Sequence, residues 1–337
     1  MWDEEVIRNT SAAQDWTQVF VAVRWIQIVV SSVSVLGSSS IIVCVMSQRL
    51  RTAPELFPLL WLSLSDLFLS LFWLLGAAIL NGCFWLRPIE QVLYLSSFCL
   101  TLNLVWSQFC CIRTQFTCSI TGYTGQISNR VSCKGKMAAL LCGVVPVLLM
   151  TPVFVQSERS RCQTNNTEPF RCLMMDTGAM FVTSQQPQPI RATAVYSSSA
   201  LICCFLLTLA GITGLMVRSR TLLKRTVSCG GFVGHQQRAL LRDMDRRMVL
   251  YPLVFFCCWG PAAVLALLRL ISPSITQGWT GAALYITQSV TSGSQGWVNS
   301  LVYGSSRFRV HHRDVHTQTP LLRNQKRRGY DSLRSTA

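Results

Sequence analysis

Asp66 stands in the apolar run Leu62-Ser63-Leu64-Ser65-Asp66-Leu67. A carboxyl group in such surroundings must be protonated, hydrated or paired with a cation, because an isolated charge is expensive to bury. Asn299 and Ser300 in a later apolar run, and Ser38 in an earlier one, are polar groups that would gather with it. Such a cluster ties helices together through a neutral acid, or forms a hydrated network able to hold Na⁺ that differs between two conformations. A second constellation is ionic. Arg113 closes one apolar run while Asp243 and Asp245 precede another, so a contact between them would bias a two-state assembly; the alternative is an arginine that reaches out to lipid headgroups. The third is mechanical. In Cys258-Trp259-Gly260-Pro261, Pro261 has no N–H for the carbonyl of Cys257 and should kink its helix, with the Trp259 ring placed beside the hinge as a switch.

Catalytic chemistry is not expected from these residue types. All four histidines, His235, His311, His312 and His316, lie outside the apolar runs, whereas a zinc hydrolase would need several of them together. The last run holds no Lys to carry a retinal. No catalytic residue, metal site or cofactor is therefore expected, and the protein is read as non-enzymatic.

What must position these residues is a set of seven apolar stretches, near Trp25 to Met46, Phe57 to Leu80, Val92 to Ser119, Met137 to Val155, Ala192 to Val217, Met248 to Leu270 and Trp279 to Tyr303. About 20 apolar residues cross the roughly 30 Å hydrocarbon core as a helix, and each stretch reaches or approaches that length. Only 13% of the residues are charged and 50% are hydrophobic, against about 25% charged in a soluble domain. Barrel strands would alternate over about ten residues; these runs are continuous, so the expected fold class is all-α, a seven-transmembrane helix bundle. The organisation expected is an extracellular N-terminal segment 1–24, a bundle 25–303 and a basic cytoplasmic tail 304–337. The acidic start Met1-Trp2-Asp3-Glu4-Glu5 lacks the basic and short apolar regions of a cleavable signal.

The net charge of +16 raises nucleic acid as a partner, but its placement excludes that class. Assigned to alternate loops, 22 of the 30 Lys and Arg fall on one side, concentrated in residues 218–247 and after Tyr303. Cytoplasmic loops carry such an excess, and the anionic inner leaflet attracts it, so the tail is expected inside, the N-terminus outside, and the bilayer is the partner. Two glycosylation sequons, at Asn9 and Asn165, lie on the same outer face. Most of the fifteen cysteines sit in apolar runs as small apolar residues. Only Cys83, Cys162 and Cys172 fall outside on this topology, where oxidation is permitted; the expected bridge joins Cys83 to Cys172 or Cys162, and a local Cys162–Cys172 bridge, or no bridge, is the alternative. The plasma membrane is the expected location, with the endoplasmic reticulum the other.

In this order, the motifs resemble the rhodopsin-like G-protein-coupled receptors over about residues 25–310. Gly37-Ser38 resembles that superfamily's first-helix Gly-Asn pair, Leu62 to Asp66 its second-helix Leu-x-x-x-Asp, Cys258 to Pro261 its sixth-helix Cys-Trp-x-Pro, and Asn299-Ser300-Leu301-Val302-Tyr303 its Asn-Pro-x-x-Tyr. The resemblance implies an unknown ligand in the outer half, a switch of Trp259, Pro261 and Tyr303, and Arg113 facing a heterotrimeric G protein. Cys111-Ile112-Arg113-Thr114-Gln115 departs from the family's Asp/Glu-Arg-Tyr, so the acid that restrains the arginine is missing. An orphan receptor-like protein signalling through the sixth-helix pivot is the first expectation. The others are a non-signalling multispan scaffold and a transporter, though the matching interrupted helices of parallel transporter repeats are absent from the two halves.

Overall fold

Continuous apolar runs leave a backbone in lipid only its own hydrogen bonds to make, and each run accordingly becomes a helix. The computed structural model describes residues 2–47, 56–79, 86–121, 133–161, 188–228, 235–272, 276 and 279–303. Its elements are α1 (Trp2–Ser47), α2 (Phe57–Ala78), α3 (Leu86–Thr121), α4 (Cys133–Arg161), α5 (Gln188–Ser228), α6 (His235–Ile271) and α7 (Trp279–Gly293). Cys83, Cys162, Cys172, Asn165 and residues 304–337 lie outside the described residues, as do the side chains of Asn9, Asp243 and Asp245.

Six of these helices are long and apolar enough to cross a membrane. The last run behaves differently. A turn at Ser294 separates α7 from helical residues 295–303, and neither piece alone reaches the length of a span. The Gly293-Ser294 pair at the break is the composition that allows a helix to bend. Helical bonding continues across it, with Ser294 N donating to Val290 O at 3.1 Å and Val298 N to Ser294 O at 2.9 Å. At the other end of the chain, α1 begins at Trp2 rather than near residue 25, since no Gly or Pro precedes Gly37 to stop it; the segment expected as 1–24 is helical, and its apolar span is Thr17–Ser47.

Neighbouring helices pack in the ring α1, α2, α3, α5, α6, α7 and back to α1, with α3 also against α4 and α6. In lipid both faces of a helix are apolar, so small and polar groups mark the inner face. On α2, Leu59, Leu62, Asp66, Leu69 and Trp73 recur every three or four residues and are buried, together with Ser63 and Ser70. Trp61, Phe68, Leu71 and Leu75 form the exposed face. α4 sits outermost, and Leu140, Val144 and Leu148 along it are exposed.

Two α1 side chains reach the C-terminal part of α2, Arg24 on a carbonyl of the last turn that lacks a helical partner and Gln27 as a second donor to one that has its own. Arg24 Nε donates to Ala77 O at 2.8 Å, and Gln27 Nε2 to Trp73 O at 2.7 Å. The arginine charge also lies at the negative end of the α2 dipole.

Candidate functional site

Asp66 is 2% exposed and sits at the centre of the bundle, where three side chains from two other helical segments donate to it. Asn299 Nδ2 donates to Oδ2 at 2.8 Å, while Gln295 Nε2 and Ser97 Oγ both donate to Oδ1 at 3.0 Å. Gln295 Nε2 also donates to Ser97 Oγ at 2.6 Å. On its other side, Gln295 Oε1 accepts from Trp259 Nε1 at 2.6 Å. The indole N–H is donor-only, so it fixes which way the amide points: oxygen towards Trp259, nitrogen towards Asp66. One hydrogen-bonded chain therefore runs from α6 through the 295–303 segment to α2 and α3.

Trp259 roofs this hub. Its ring meets Phe98 edge-on at 4.8 Å between centroids, Tyr94 at 5.6 Å and Trp73 at 6.4 Å. Phe255 and Phe205 extend the cluster, stacked on each other at 5.4 Å. Pro261 lies two residues further along α6, and Ser292 Oγ of α7 donates to the Cys258 carbonyl at 3.0 Å. The proline-weakened turn of α6 is thus pinned to the last helix at two points, by a serine to its backbone and by a glutamine to its tryptophan. A second proline, Pro252, lies within the same helix.

The sequence-singled residues divide between this hub and other places. Asp66, Asn299 and Trp259 are brought together. Ser300 is not joined to Asp66; its hydroxyl donates to Trp297 O of its own helix at 2.7 Å. Ser38 is buried, and its Oγ faces Gly296 without a hydrogen-bond partner among the described residues. Tyr303 is buried in the main apolar cluster with Ile41, Val45 and Leu59. Arg113 is exposed on α3, away from the hub. A cation at Asp66 would need oxygen lone pairs around it. The three groups that reach its carboxyl donate to it, so among the described residues Asp66 is the centre of a hydrogen-bonded hub.

Gln295, Ser97 and Ser292 belong to the hub, and sequence reading passed over them. A signal for two of them was present. Gln288, Ser292, Gln295 and Asn299 follow one another at three or four residues and are all buried, a polar stripe on one face of an apolar helix. Nothing comparable singles out Ser97 among the many serines of the chain.

The family model of transmembrane protein 116 matches residues 20–332, a stretch that contains every helix contributing to the hub. The chain therefore belongs to the transmembrane protein 116 family, as a multi-pass membrane protein.

Proposed function

We propose that this chain is a receptor-like membrane protein, non-enzymatic, in which α6 pivots at Pro261 and the Trp259–Gln295–Asp66 chain of hydrogen bonds holds one of two bundle states. In this reading the divided last helix makes a seventh crossing, as in the rhodopsin-like receptors. The N-terminus faces outwards at the plasma membrane, and a bridge from Cys83 to Cys172 or Cys162 folds the outer loop over the bundle. The observation that carries the reading is the bond from Trp259 Nε1 to Gln295 Oε1, because it couples the hinge helix to the buried Asp66. A ligand shifts such an equilibrium only through its difference in affinity for the two states, and a ring held by one directional bond is a group that two states treat differently.

Co-expression with heterotrimeric G proteins of each class, read as proximity transfer between the chain and the G protein, tests it. Wild type should recruit at least one class, and Arg113→Ala and Asp66→Asn should each lower that signal about tenfold, the change that about 1.4 kcal/mol produces. The competing reading is a non-signalling membrane scaffold, favoured by Cys111-Ile112-Arg113, where no acid restrains the arginine. Recruitment absent from every class, or indifferent to both substitutions, decides for the scaffold.

Orientation has its own check. Deglycosylation should increase the gel mobility of wild type and leave an Asn9→Gln, Asn165→Gln variant unchanged; an unmodified wild type whose C-terminal tag is luminal reverses the topology.

A further inference from the structure

Two contacts tie α5 to its neighbours on one side. Tyr196 Oη donates to Leu149 O of α4 at 2.7 Å, and Gly211 receives Leu102 of α3, whose Cδ1 stands 2.9 Å from a Cβ built on the glycine. Between and beyond these contacts the side is open. Among the described residues outside its own helix, nothing lies within 4 Å of a Cβ built on Gly214. Leu207 is 72% exposed, and Trp106 of α3 is 51% exposed. Leu207 and Gly214 follow Tyr196 by eleven and eighteen residues, whole numbers of helical turns, so they share the face that Tyr196 turns to α4. Trp106 follows Leu102 by four residues, on the face of α3 that turns to α5. A groove open to lipid therefore runs between α4 and α5, with the Trp106 indole on its floor and the Phe109 ring 6.0 Å away.

Both faces end in a cation. Arg113 follows Trp106 by seven residues and Arg218 follows Gly214 by four, and both are exposed. α3 and α5 cross the bundle in the same direction, so at 1.5 Å per residue Arg113 lies about 16 Å and Arg218 about 10 Å beyond the contact of Leu102 with Gly211. Long arginine side chains span that stagger. No acid stands on either stripe. The occupant of an outward groove in a membrane bundle is lipid, and the two guanidiniums at this mouth select among lipids by charge.

We propose that this groove holds one anionic phospholipid, with an acyl chain along Trp106 and Gly214 and its phosphate between the Arg113 and Arg218 guanidiniums. The planar fork of a guanidinium matches two phosphate oxygens at once, while the stems of both arginines lie along apolar surface. A zwitterionic headgroup brings its own cation to the same place and is disfavoured. In the proposed orientation the arginine end is cytoplasmic, where anionic lipids are concentrated. The inference rests on that orientation only for the leaflet, not for binding.

Native mass spectrometry of the full chain purified in detergent, titrated with dioleoyl phosphatidic acid or dioleoyl phosphatidylcholine, tests the site. Wild type should retain phosphatidic acid with an apparent Kd about tenfold below that for phosphatidylcholine. Arg218→Gln should remove the preference. Gly214→Leu should weaken retention of phosphatidic acid about tenfold, by filling the groove with every charge in place. No neighbour obstructs the new side chain, which guards against a variant that does not fold. Arg220→Gln removes a charge from the same helix about 200° around it and should behave as wild type. Equal retention of the two lipids by wild type, or a preference unchanged in both Arg218→Gln and Gly214→Leu, overturns the site. So does an equal loss in Arg220→Gln and Arg218→Gln, which would make the attraction one of net charge alone. Glycerol 3-phosphate bound as tightly as the lipid would leave the groove no part and overturn it too. Cholesterol retained in preference to phosphatidic acid puts a sterol there and overturns the phospholipid. Retention is read with no G protein present, so its loss counts against the lipid site and a loss of recruitment counts against the receptor-like reading.

Discussion

Gly37→Val should abolish recovery of the folded bundle. A Cβ built on Gly37 stands 2.7 Å from the Cα of Trp297 and 3.1 Å from the carbonyl oxygen of Gly296. Both atoms are backbone, so no rotamer change relieves the contact; α1 and the 295–303 helix must separate. Separation also breaks the bond from Gly296 N to Ser34 Oγ, 3.0 Å long, and withdraws support from Gln295 and Asn299 beside it. Overpacking costs about 1–3 kcal/mol where neighbours yield and more where they do not, and here the neighbours are backbone, so the loss approaches the 5–15 kcal/mol that a typical protein has. The measurement is the fraction eluting as a single species from size exclusion after detergent extraction, expected to fall at least tenfold. Gly296→Ala should be milder. Its Cβ meets the hydroxyl of Ser38, which is able to rotate away, that of Ser34, whose rotation would cost the bond from Gly296 N, and the Ser34 carbonyl at 3.0 Å. Gly143→Val is the control, because nothing lies within 4 Å of a Cβ there. Similar elution for the Gly37 and Gly143 variants would mean that α1 and the last helix do not approach as described.

The second large effect is expected at Gln295. Replacing it by Leu strands the Trp259 indole N–H, which has no other role open to it, and removes one of two donors from Asp66 Oδ1 and one from Ser97 Oγ. Each buried group left without a partner costs about 1–3 kcal/mol, so Gln295→Leu should destabilise by about 3 kcal/mol, measured as thermal unfolding in a fixed detergent. Trp259→Phe removes the same bond from the other end and also shrinks the ring that Phe98 meets edge-on. The double variant should lose less than the two single losses together, by about 1 kcal/mol, since the shared bond is counted once. Strict additivity would show that the amide and the indole do not act as a unit and would leave the α6 pivot without its coupling to Asp66.

How far the hub was legible depended on how its residues announce themselves. Asp66 is conspicuous because an acid in an apolar run violates the composition around it, and Trp259 because a proline follows two residues later. Asn299 stands out for the same reason as Asp66. Gln295 carries as much of the network as Asn299, yet it sits between Ser294 and Gly296 at the break in the last helix, where a polar residue looks like part of a turn. Ser97 is one hydroxyl among many, and its role comes entirely from facing Asp66 across 31 residues of chain. Ser300 illustrates the opposite case. It adjoins Asn299 in sequence, but adjacent residues on a helix point about 100° apart, and its hydroxyl serves the Trp297 carbonyl instead.

The sequence by itself determined the solvent, the helical character and which residues were out of place in that solvent. These follow from composition and run length, because lipid leaves the backbone almost no choice. It overestimated the regularity of the last run, which reads as one more apolar stretch and is divided at Ser294. Only the tertiary structure decided which out-of-place residues meet, that an amide bridges Trp259 to Asp66, and that Gly37 and Gly296 let two helices touch backbone to backbone. Hydrophobic burial cannot select a register between two apolar helices in lipid. Steric fit and directional hydrogen bonds select it, and both are properties of two surfaces together that neither segment carries alone.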